Sequence, residues 1–519
     1  MLKLLCLIKA VFLFTSILIA GNNNYAKTYN IKGESYPGHV ELQWENNRNF
    51  DYTIYKKEGS KFKKCGETSN DYFFDFTSLK AKDVTYRIVP KGLSVNQASE
   101  FEVKVNGAAN ATDETYLDMV QKYTSRYFYE FAHPVNKLAK ERSNHEIDIV
   151  TTGGTGFGIM ALVAASERGY YTREEVRNNI TDIVDFLEKA ERFHGAWAHW
   201  YNGTTGEVFS FSKYDNGGDL VETAFLVQGL LTARSYFNTN HPDEIKLCSR
   251  ITRLWEDVEW DWYTQGSNDA LYWHWSKQYE FKMNHKIHGF DETLITYVLA
   301  ASSPTHPISK NVYDSCFKNS NYYLNGNEYC GIKLELGMPY GGPLFFTHYS
   351  FLGLNPTNLI TDENISYFER NKAHVLIHRE YAKENPNKFK EYGENFWGFT
   401  SSDDALVGYT SHHPGTDAEN GTVTPTAGLS SFPYAPKECM SLLKNLYHNH
   451  GTKIWGPYGF YDSYNPSLCE GQQVVKSYLA IDQGPIAVMI ENYRSGLLWD
   501  LFMGNKEIQS GLTKLGFKY

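Results

Sequence analysis

Acidic side chains in this chain stand in segments that are also rich in tryptophan and histidine. Two of them, Asp219 and Glu222, lie three residues apart at the start of an almost wholly apolar run, 219–226. Burial among apolar neighbours disfavours a negative charge, so the Glu222 carboxyl is predicted to act as a proton donor. The alternative for both residues is a capping role, because free amide groups at a helix N-terminus stabilise carboxylates.

Further carboxylates come from separate segments. Asp148 precedes a glycine-rich run at 151–156, and Asp403 follows Trp397 within the segment 397–404. Cleavage of a glycosidic bond needs one protonated carboxyl group and one ionised carboxylate that serves as base or nucleophile. The predicted catalytic residues are therefore Glu222, Asp148 and Asp403, and either aspartate is a candidate for the base. A capping role is the alternative for Asp148.

Aromatic and hydrogen-bonding side chains of the same segments are predicted to bind a sugar. The predicted substrate-binding residues are Asp219, Trp275, His285, Lys286, His348, Glu394, Trp397, Trp455 and Asp482. The three tryptophans come from different segments, and we expect them to form a platform on which pyranose rings stack. No His-x-x-x-His or Cys/His spacing supports a metal site in these segments, so neither a metal site nor a cofactor is predicted.

The segments that carry these residues stand between predicted helices. The helices come in pairs, at 156–168 with 172–193, 220–237 with 243–258, 291–302 with 308–317, 348–354 with 364–384, 425–431 with 436–450, and 481–493 with 497–515. In most pairs the first helix is apolar and the second is amphipathic, and Thr172 with Glu175 matches a capping box. This predicts an all-α (α/α) six-hairpin toroid over 113–519 in which the long connections meet over one pocket.

The N-terminal part of the chain has the alternating pattern of short strands. Apolar and polar residues alternate at 39–44, 52–56, 72–76, 85–89 and 100–105, with turn-forming residues between these runs. The pattern predicts a multidomain chain, in which a small all-β sandwich of the fibronectin III or immunoglobulin type occupies 27–106. This domain is either a spacer or a sugar-binding module.

The first residues and the overall charge restrict location and partners. Lys3 and Lys9 precede an apolar stretch at 10–20 that ends in small residues. This pattern predicts a signal peptide at 1–26 and export to the periplasm or beyond. A retained membrane anchor is the alternative, although the apolar run is short for a bilayer span. The net charge of −10 without a basic run disfavours nucleic acid and anionic membranes as partners. We expect a monomer without stable membrane insertion, with a glucan as its only partner.

Several runs, in order along the chain, resemble a bacterial family once labelled as glucoamylases and now classified as glycoside hydrolase family 144. They are GGDLVETAF at 217–225, YWHW at 272–275, KMNH at 282–285, AASSPTHP at 300–307, FFTHYS at 345–350, TPTA at 424–427 and AIDQGP at 480–485. The resemblance extends from about Tyr116 to the C-terminus. It implies the (α/α) toroid and inverting cleavage of β-1,2-glucan to sophorose or longer oligosaccharides. It also implies that Glu222 is the essential acid and that Asp148 and Asp403 are functional carboxylates.

Other functions stay open at the level of sequence. The older family label suggests hydrolysis of an α-glucan, and a non-catalytic glycan-binding protein would also use many aromatic residues. A polysaccharide lyase on a similar toroid is disfavoured, because a uronate substrate needs Arg or Lys to neutralise its carboxylate. Basic residues are sparse in the long connections.

Overall fold

A computed structural model describes residues 30–45, 50–76, 83–98, 100–104 and 111–519. The predicted signal peptide at 1–26 lies outside these residues. The chain divides into two compact units, Met1–Tyr116 and Leu117–Tyr519.

Two small antiparallel sheets make up the described part of the first unit. Its strands are β1 (Lys32–Ser35), β2 (Val40–Gln43), β3 (Tyr52–Glu58), β4 (Lys61–Thr68), β5 (Tyr72–Asp75), β6 (Val84–Pro90) and β7 (Glu100–Val103). The sheet orders are β1-β2-β5 and β4-β3-β6-β7. Apolar residues of both sheets, including Leu42, Trp44 and Tyr86, share one core. The edge strand β4 was not predicted, because polar residues on both of its faces hide the alternation.

The second unit is mainly helical. Its longer helices are α1 (Asp113–Tyr129), α2 (Thr152–Glu167), α3 (Arg173–Leu187), α4 (Leu220–Tyr236), α5 (Pro242–Glu256), α6 (Leu294–Ser302), α7 (Tyr367–Glu384), α8 (Pro425–Leu429), α9 (Pro436–Asn445), α10 (Ala480–Arg494), α11 (Leu497–Met503) and α12 (Lys506–Leu515). Helices α2, α4 and α6 are buried on all sides except at the C-terminal ends of α2 and α4. The amphipathic α3 begins with the predicted capping box of Thr172 and Glu175, which is confirmed.

Short antiparallel strand pairs occupy the connections between the helices. The strands are β8 (Ile149–Thr151), β9 (Arg192–Phe193), β10 (Ala196–Trp197), β11 (Trp200–Asn202), β12 (Val208–Phe209), β13 (Gly218–Asp219), β14 (His274–Trp275), β15 (Glu328–Tyr329), β16 (Ile332–Lys333), β17 (Ser401–Asp404), β18 (Gly408–Ser411), β19 (Trp455–Gly456), β20 (Gly459–Phe460), β21 (Ser463–Tyr464) and β22 (Val474–Val475). Most of these pairs are local hairpins, but β8 with β11 and β13 with β14 join segments about 50 residues apart and so hold the long connections in register. One of them places Asp219 opposite His274.

Helices α2 and α4 cross closely at two glycines. A Cβ atom at Gly156 would lie 2.2 Å from the carbonyl oxygen of Phe225, and one at Gly229 would lie 2.1 Å from that of Gly156. Neither position has room for a side chain, so a larger residue would force the helices apart. The close crossing brings the first turns of α2 and α4 together. There the backbone N–H of Gly153 meets the carboxylate of Glu222.

The helix predicted at 348–354 is corrected by the structure. The chain forms 3₁₀ turns at Leu344–Thr347 and Ser350–Leu352 instead. Gly342 and Pro343 precede the segment and Gly353 and Pro356 follow it, so the residues available for a continuous α-helix are few. Elsewhere in the described residues, no helix combines the length and the apolar character that a membrane span requires.

Candidate active site

A cavity of about 470 Å³ lies at the N-terminal ends of α2, α4 and α10. Its walls are formed by Glu141, Arg142, Thr151, His199, Trp200, Phe211, Glu222, Phe225, Trp273, Glu292, Phe345, Tyr349, Tyr409, Leu479 and Ile481. The volume is that of a typical small-ligand site, and acidic groups, one arginine and many rings share the wall. Residues at the helix N-termini therefore form one part of the cavity wall, and the connections between helices supply most of its aromatic residues.

Glu222 is the acid in the first turn of α4, and its side chain reaches the cavity wall. One of its oxygens, Oε2, accepts a hydrogen bond from the backbone N–H of Gly153 at 2.8 Å. The other, Oε1, lies 3.7 Å from Nε2 of His199. Burial raises the pKa of Glu222 to about 7; His199 opposes this rise and the charge of Asp219 adds to it. The geometry is that of a carboxyl group that can carry a proton into a closed site.

Asp219 has the capping role that the sequence left open. Its Oδ1 accepts hydrogen bonds from the backbone N–H groups of Val221 and Glu222, both at 2.9 Å. Burial alone would raise the pKa of Asp219, but the interactions of its carboxylate with the nearby rings of His199 and His274 outweigh burial and hold the pKa below its usual range. Asp219 is not among the residues that line the cavity. It fixes the start of α4 and thereby the position of Glu222.

Four side chains meet behind Glu222, three of them buried and that of His199 partly exposed, and they could hold a metal ion. Ligand atoms of His199, Asp215 and Asp219 lie within 4.8 Å of one another. Nε2 of His274 lies 3.2 Å from Oδ2 of Asp215 and 3.4 Å from Oδ2 of Asp219. This cluster was not predicted, because its members come from segments up to 75 residues apart rather than from one short motif.

Asp403 lies behind Arg142 rather than in the open cavity. Nη1 of Arg142 donates to Oδ1 of Asp403 at 2.6 Å, and the hydroxyl of Ser477 donates to Oδ2 at 2.6 Å. Arg142 also pairs with Glu141, where Nε lies 2.6 Å from Oε2. Both donors to Asp403 stabilise a negative charge on it. Asp403 therefore belongs to a charged network that reaches the cavity through Arg142.

Asp462 and Asp482 form a buried acid pair next to Asp403. The backbone N–H of Asp403 donates to Oδ2 of Asp462 at 2.6 Å. Burial and the charge of Asp403 raise the pKa of Asp462 to about 7. Burial and the charge of Asp462 raise the pKa of Asp482 well above its usual range. The pair therefore holds a proton in the folded protein at a pH where an exposed aspartate has lost it.

We expect Asp482→Asn to stabilise the protein at pH 8. The folded state binds more protons at this pair than the unfolded chain, so the free energy of unfolding falls as the pH rises from about 4 through about 7. Removing one acid should raise that free energy at pH 8 by roughly 1–3 kcal/mol, since one pKa unit corresponds to about 1.4 kcal/mol. Thermal melts at pH 4.5 and pH 8 test this. An unchanged or lower melting temperature of the variant at pH 8 would contradict the acid pair.

Asp148 is not brought to Glu222. It lines a neighbouring cavity of about 410 Å³, which shares Glu141 and Arg142 with the first. Its Oδ2 accepts a hydrogen bond from the Thr204 hydroxyl at 2.8 Å and lies 3.2 Å from Nε2 of His133. Its position in the second cavity separates Asp148 from the acid that it was predicted to assist.

The predicted tryptophan platform is corrected by the structure. Trp397 is fully buried, and Trp455 is 4% exposed and packs edge-on against Phe460. Trp275 packs against His194 and Trp262, with ring centroids 4.6 Å and 6.0 Å away. None of the three lines the cavity. Residue type identified the right class of side chain, but it could not tell core rings from exposed ones.

The other predicted binding residues surround the site without lining the cavity. His285 stacks on Trp273 at 4.9 Å, and Lys286 lies 5.8 Å from the ring of Tyr272. His348 is buried and hydrogen-bonded to Ser431 at 2.9 Å. Glu394 is exposed and pairs with Arg379 at 2.7 Å. Of these four, His285 stacks on Trp273 and His348 donates its backbone N–H to the carbonyl oxygen of Phe345 at 2.9 Å, so both contact residues of the cavity wall.

Trp200, Phe211, Trp273 and Glu292 line the cavity and were not predicted. Trp200 and Phe211 pack together at 4.9 Å, and Phe211 stacks on His199 at 4.6 Å. Burial and the charge of Asp291 raise the pKa of Glu292 well above its usual range. The sequence signal that could have found Trp200 is its place directly after His199. Phe211 had no comparable signal.

We expect Trp200→Ala to weaken substrate binding. Loss of one stacking ring should cost on the order of 1 kcal/mol, which corresponds to a rise in KM of about fivefold. Trp262→Ala is the matched control, because Trp262 is partly exposed but packs on His194 outside the cavity. Initial rates over a range of oligosaccharide concentrations provide both constants. Equal KM values for Trp200→Ala and the control would show that Trp200 does not contact the substrate.

Comparison with known proteins shows similarity over nearly the whole chain. The family model described as "Putative glucoamylase" matches residues 284–506. A Parabacteroides distasonis protein described as an exo β-1,2-glucooligosaccharide sophorohydrolase (non-reducing end) is 40% identical over 509 residues, covering 93% of this chain and 70% of that protein.

Solved structures are similar at comparable identity. The crystal structure of a β-1,2-glucanase from Parabacteroides distasonis has a TM-score of 0.86 at 39% identity and covers 95% of this chain and 74% of that chain. An endo-β-1,2-glucanase from Chitinophaga pinensis, in complex with sophorotriose and glucose, has a TM-score of 0.76 at 45% identity. That match covers 79% of this chain and 99% of the other.

Proposed function

Since this chain belongs to glycoside hydrolase family 144, we propose that it hydrolyses β-1,2-glucan and releases sophorose or other short β-1,2-gluco-oligosaccharides. The observation that carries the proposal is the position of Glu222. Its carboxyl group is buried in the wall of a cavity lined by rings and hydrogen-bonding groups. A sugar bound there would expel water from the acid that must protonate the leaving oxygen.

In the proposed reaction Glu222 is the general acid and Asp403 is the general base. The proton of Glu222 passes to the glycosidic oxygen as the bond between that oxygen and the anomeric carbon breaks. A water molecule attacks the same carbon from the opposite face, and its proton passes to Asp403. Attack by water from the face opposite the leaving oxygen inverts the anomeric centre.

Arg142 links Asp403 to the cavity in this mechanism. Arg142 lines the cavity and its guanidinium group donates to Asp403, so it fixes the position of the carboxylate beside the cavity. Gly153 positions the proposed acid in the same way, because its N–H group donates to Oε2 of Glu222. The other oxygen, Oε1, is then the one available to carry the proton.

We further propose the finer architecture and location. The helix pairs of the second unit are arranged as an (α/α) six-hairpin toroid, with α2, α4, α6 and α10 in its inner ring. This arrangement is supported by the packing of α2 against α4 and α10, and of α4 against α6. The first unit is a fibronectin III or immunoglobulin-like sandwich, and residues 1–26 direct the protein to the periplasm or beyond.

A chain that begins at Thr112 should keep most of its activity, because every proposed catalytic residue lies beyond that position. The kcat on β-1,2-glucan is expected to stay within about threefold of the value for the full chain, because the contacts made in the transition state are unchanged. Circular dichroism confirms that the shortened chain has folded. Loss of turnover with an unchanged helical signal would show that the first unit takes part in building the site.

The substrate proposal is tested by reducing-sugar release from linear β-1,2-glucan and from soluble starch under identical conditions. Hydrolysis of β-1,2-glucan alone is the expected result. Hydrolysis of starch alone would contradict the proposal and identify the protein as an α-glucan hydrolase. Binding of β-1,2-glucan without product from either polymer would indicate a glycan-binding protein instead.

A further inference from the structure

We propose that His199, Asp215, Asp219 and His274 bind one zinc ion directly behind Glu222. Asp215, Asp219 and His274 are each less than one-tenth exposed, and His199 lines the inner end of the cavity. This site is separate from the proposed acid–base pair, and the proposal does not depend on which glycan is cleaved.

Short strands and one bridge place three of the four side chains, and Asp215 stands in the segment just before β13. Asp219 of β13 lies directly opposite His274 of β14, and a further bridge joins Ala198 to Gly218. His199 follows that bridge, and the N–H of Thr152 donates to its carbonyl oxygen at 3.1 Å. Backbone pairing therefore fixes the positions of Asp219 and His274 and of the chain next to His199, which favours a preorganised metal site.

The distances between the side chains match a coordination shell. Nδ1 of His199 lies 3.6 Å from Oδ2 of Asp215 and 3.3 Å from Oδ2 of Asp219. Nε2 of His274 lies 3.2 Å and 3.4 Å from the same two oxygens. Four ligand atoms at about 2.0–2.1 Å from a tetrahedral zinc ion are about 3.3–3.4 Å apart. Charge-assisted hydrogen bonds would be shorter, at about 2.7–2.9 Å.

Hydrogen bonding within the described residues leaves two of the four inward-facing ligand atoms without a partner. Oδ1 of Asp219 caps α4, whereas its buried Oδ2 has no hydrogen-bond partner. Nδ1 of His199 is likewise buried without one. Buried polar atoms without partners are costly, and a cation at the common centre would satisfy both of them.

The donor set favours zinc and a structural role. Two neutral imidazoles, two carboxylates and a divalent cation sum to zero charge, which suits a buried position. Four protein ligands close the shell, as in structural zinc sites. Binding through Nδ1 leaves the Nε2 proton of His199 directed at Oε1 of Glu222, 3.7 Å away. The ion would thus fix the histidine that faces the proposed acid.

Metal analysis of the full-length protein tests the proposal. The purified chain is stripped with dipicolinic acid, incubated with zinc chloride, desalted and measured by inductively coupled plasma mass spectrometry. We expect about one zinc per chain, reduced at least fivefold in Asp215→Asn and in His274→Gln. His412→Gln is the matched control, because His412 is also buried, 3.6 Å from Asp404, yet lies outside the cluster. It should retain the full zinc content.

Thermal melts of the unsubstituted protein provide a second readout, independent of how well the variants fold. Stripping should lower the melting temperature by about 5 °C, and zinc should restore it, because a ligand that binds only the folded state stabilises that state. Less than a tenth of a zinc per chain after incubation, or no change in melting temperature on stripping, would overturn the site. In that case the two histidines are protonated and the cluster is a network of ion pairs.

Discussion

Glu222→Gln is expected to lower kcat on β-1,2-glucan by about a hundredfold or more, with little change in KM. Glutamine has the shape of glutamate and can still occupy the space beside Gly153, but it cannot donate a proton to the leaving oxygen. Substrate binding should survive because the surrounding rings are unchanged. Initial rates and isothermal titration with a β-1,2-gluco-oligosaccharide measure the two quantities separately.

Glu419→Gln is the matched control for this variant. Glu419 is also a buried glutamate whose pKa is raised by burial, but its partners are Tyr381 and Asn387, away from the cavity. Its kcat should stay within about twofold of the unsubstituted protein, as expected when no transition-state contact is lost. Turnover of Glu222→Gln equal to that of the control would exclude Glu222 as the acid.

Asp403→Asn is expected to lower kcat by about a hundredfold or more, because asparagine cannot accept the proton of the attacking water. Azide, an anionic nucleophile that needs no deprotonation, should restore part of the turnover of this variant. It should not restore turnover in Glu222→Gln, where the leaving group stays unprotonated. The rescue therefore separates a missing base from a missing acid and from a collapsed site.

Asp404→Asn is the neighbouring control for Asp403. Asp404 accepts hydrogen bonds from the backbone N–H groups of Leu406 and Val407 and from Asn420, so its role lies in the turn between β17 and β18. The Asp404→Asn variant should therefore be less stable than the unsubstituted protein, with a nearly unchanged kcat. If Asp403→Asn keeps near-normal turnover, the base is another carboxylate of the cavity wall, with Glu141 and Glu292 as the remaining acids there.

The helical part and the acid at its centre were predictable because their signals are local. An apolar run with a single glutamate in its first turn predicts a buried helix with an acid at its start, and α4 with Glu222 has that form. The capping box at Thr172 is local in the same way. Periodicity predicted long helices well, but it placed one at 348–354, where glycines and prolines leave only 3₁₀ turns.

The surroundings of the acid were less predictable because they are assembled from distant segments. Trp397 and Trp455 have the residue type of a sugar platform, but their burial depends on packing partners that the sequence does not reveal. Trp200 becomes a cavity residue through the ladder of β11 with β8 and β12, and Phe211 follows β12 by two residues. His274 and Asp215 meet only because β13 pairs with β14. None of these contacts follows from spacing along the chain.

Proton NMR spectra recorded during hydrolysis of linear β-1,2-glucan test the central claim most directly, because one experiment shows both the bond that is cleaved and its stereochemistry. We predict that sophorose or short β-1,2-gluco-oligosaccharides appear, and that the new reducing end is first seen as the α-anomer and then mutarotates. A β-anomer as the first product would contradict inverting hydrolysis with Glu222 as the acid. So would the absence of any product when enough enzyme is present to bind all of the polymer.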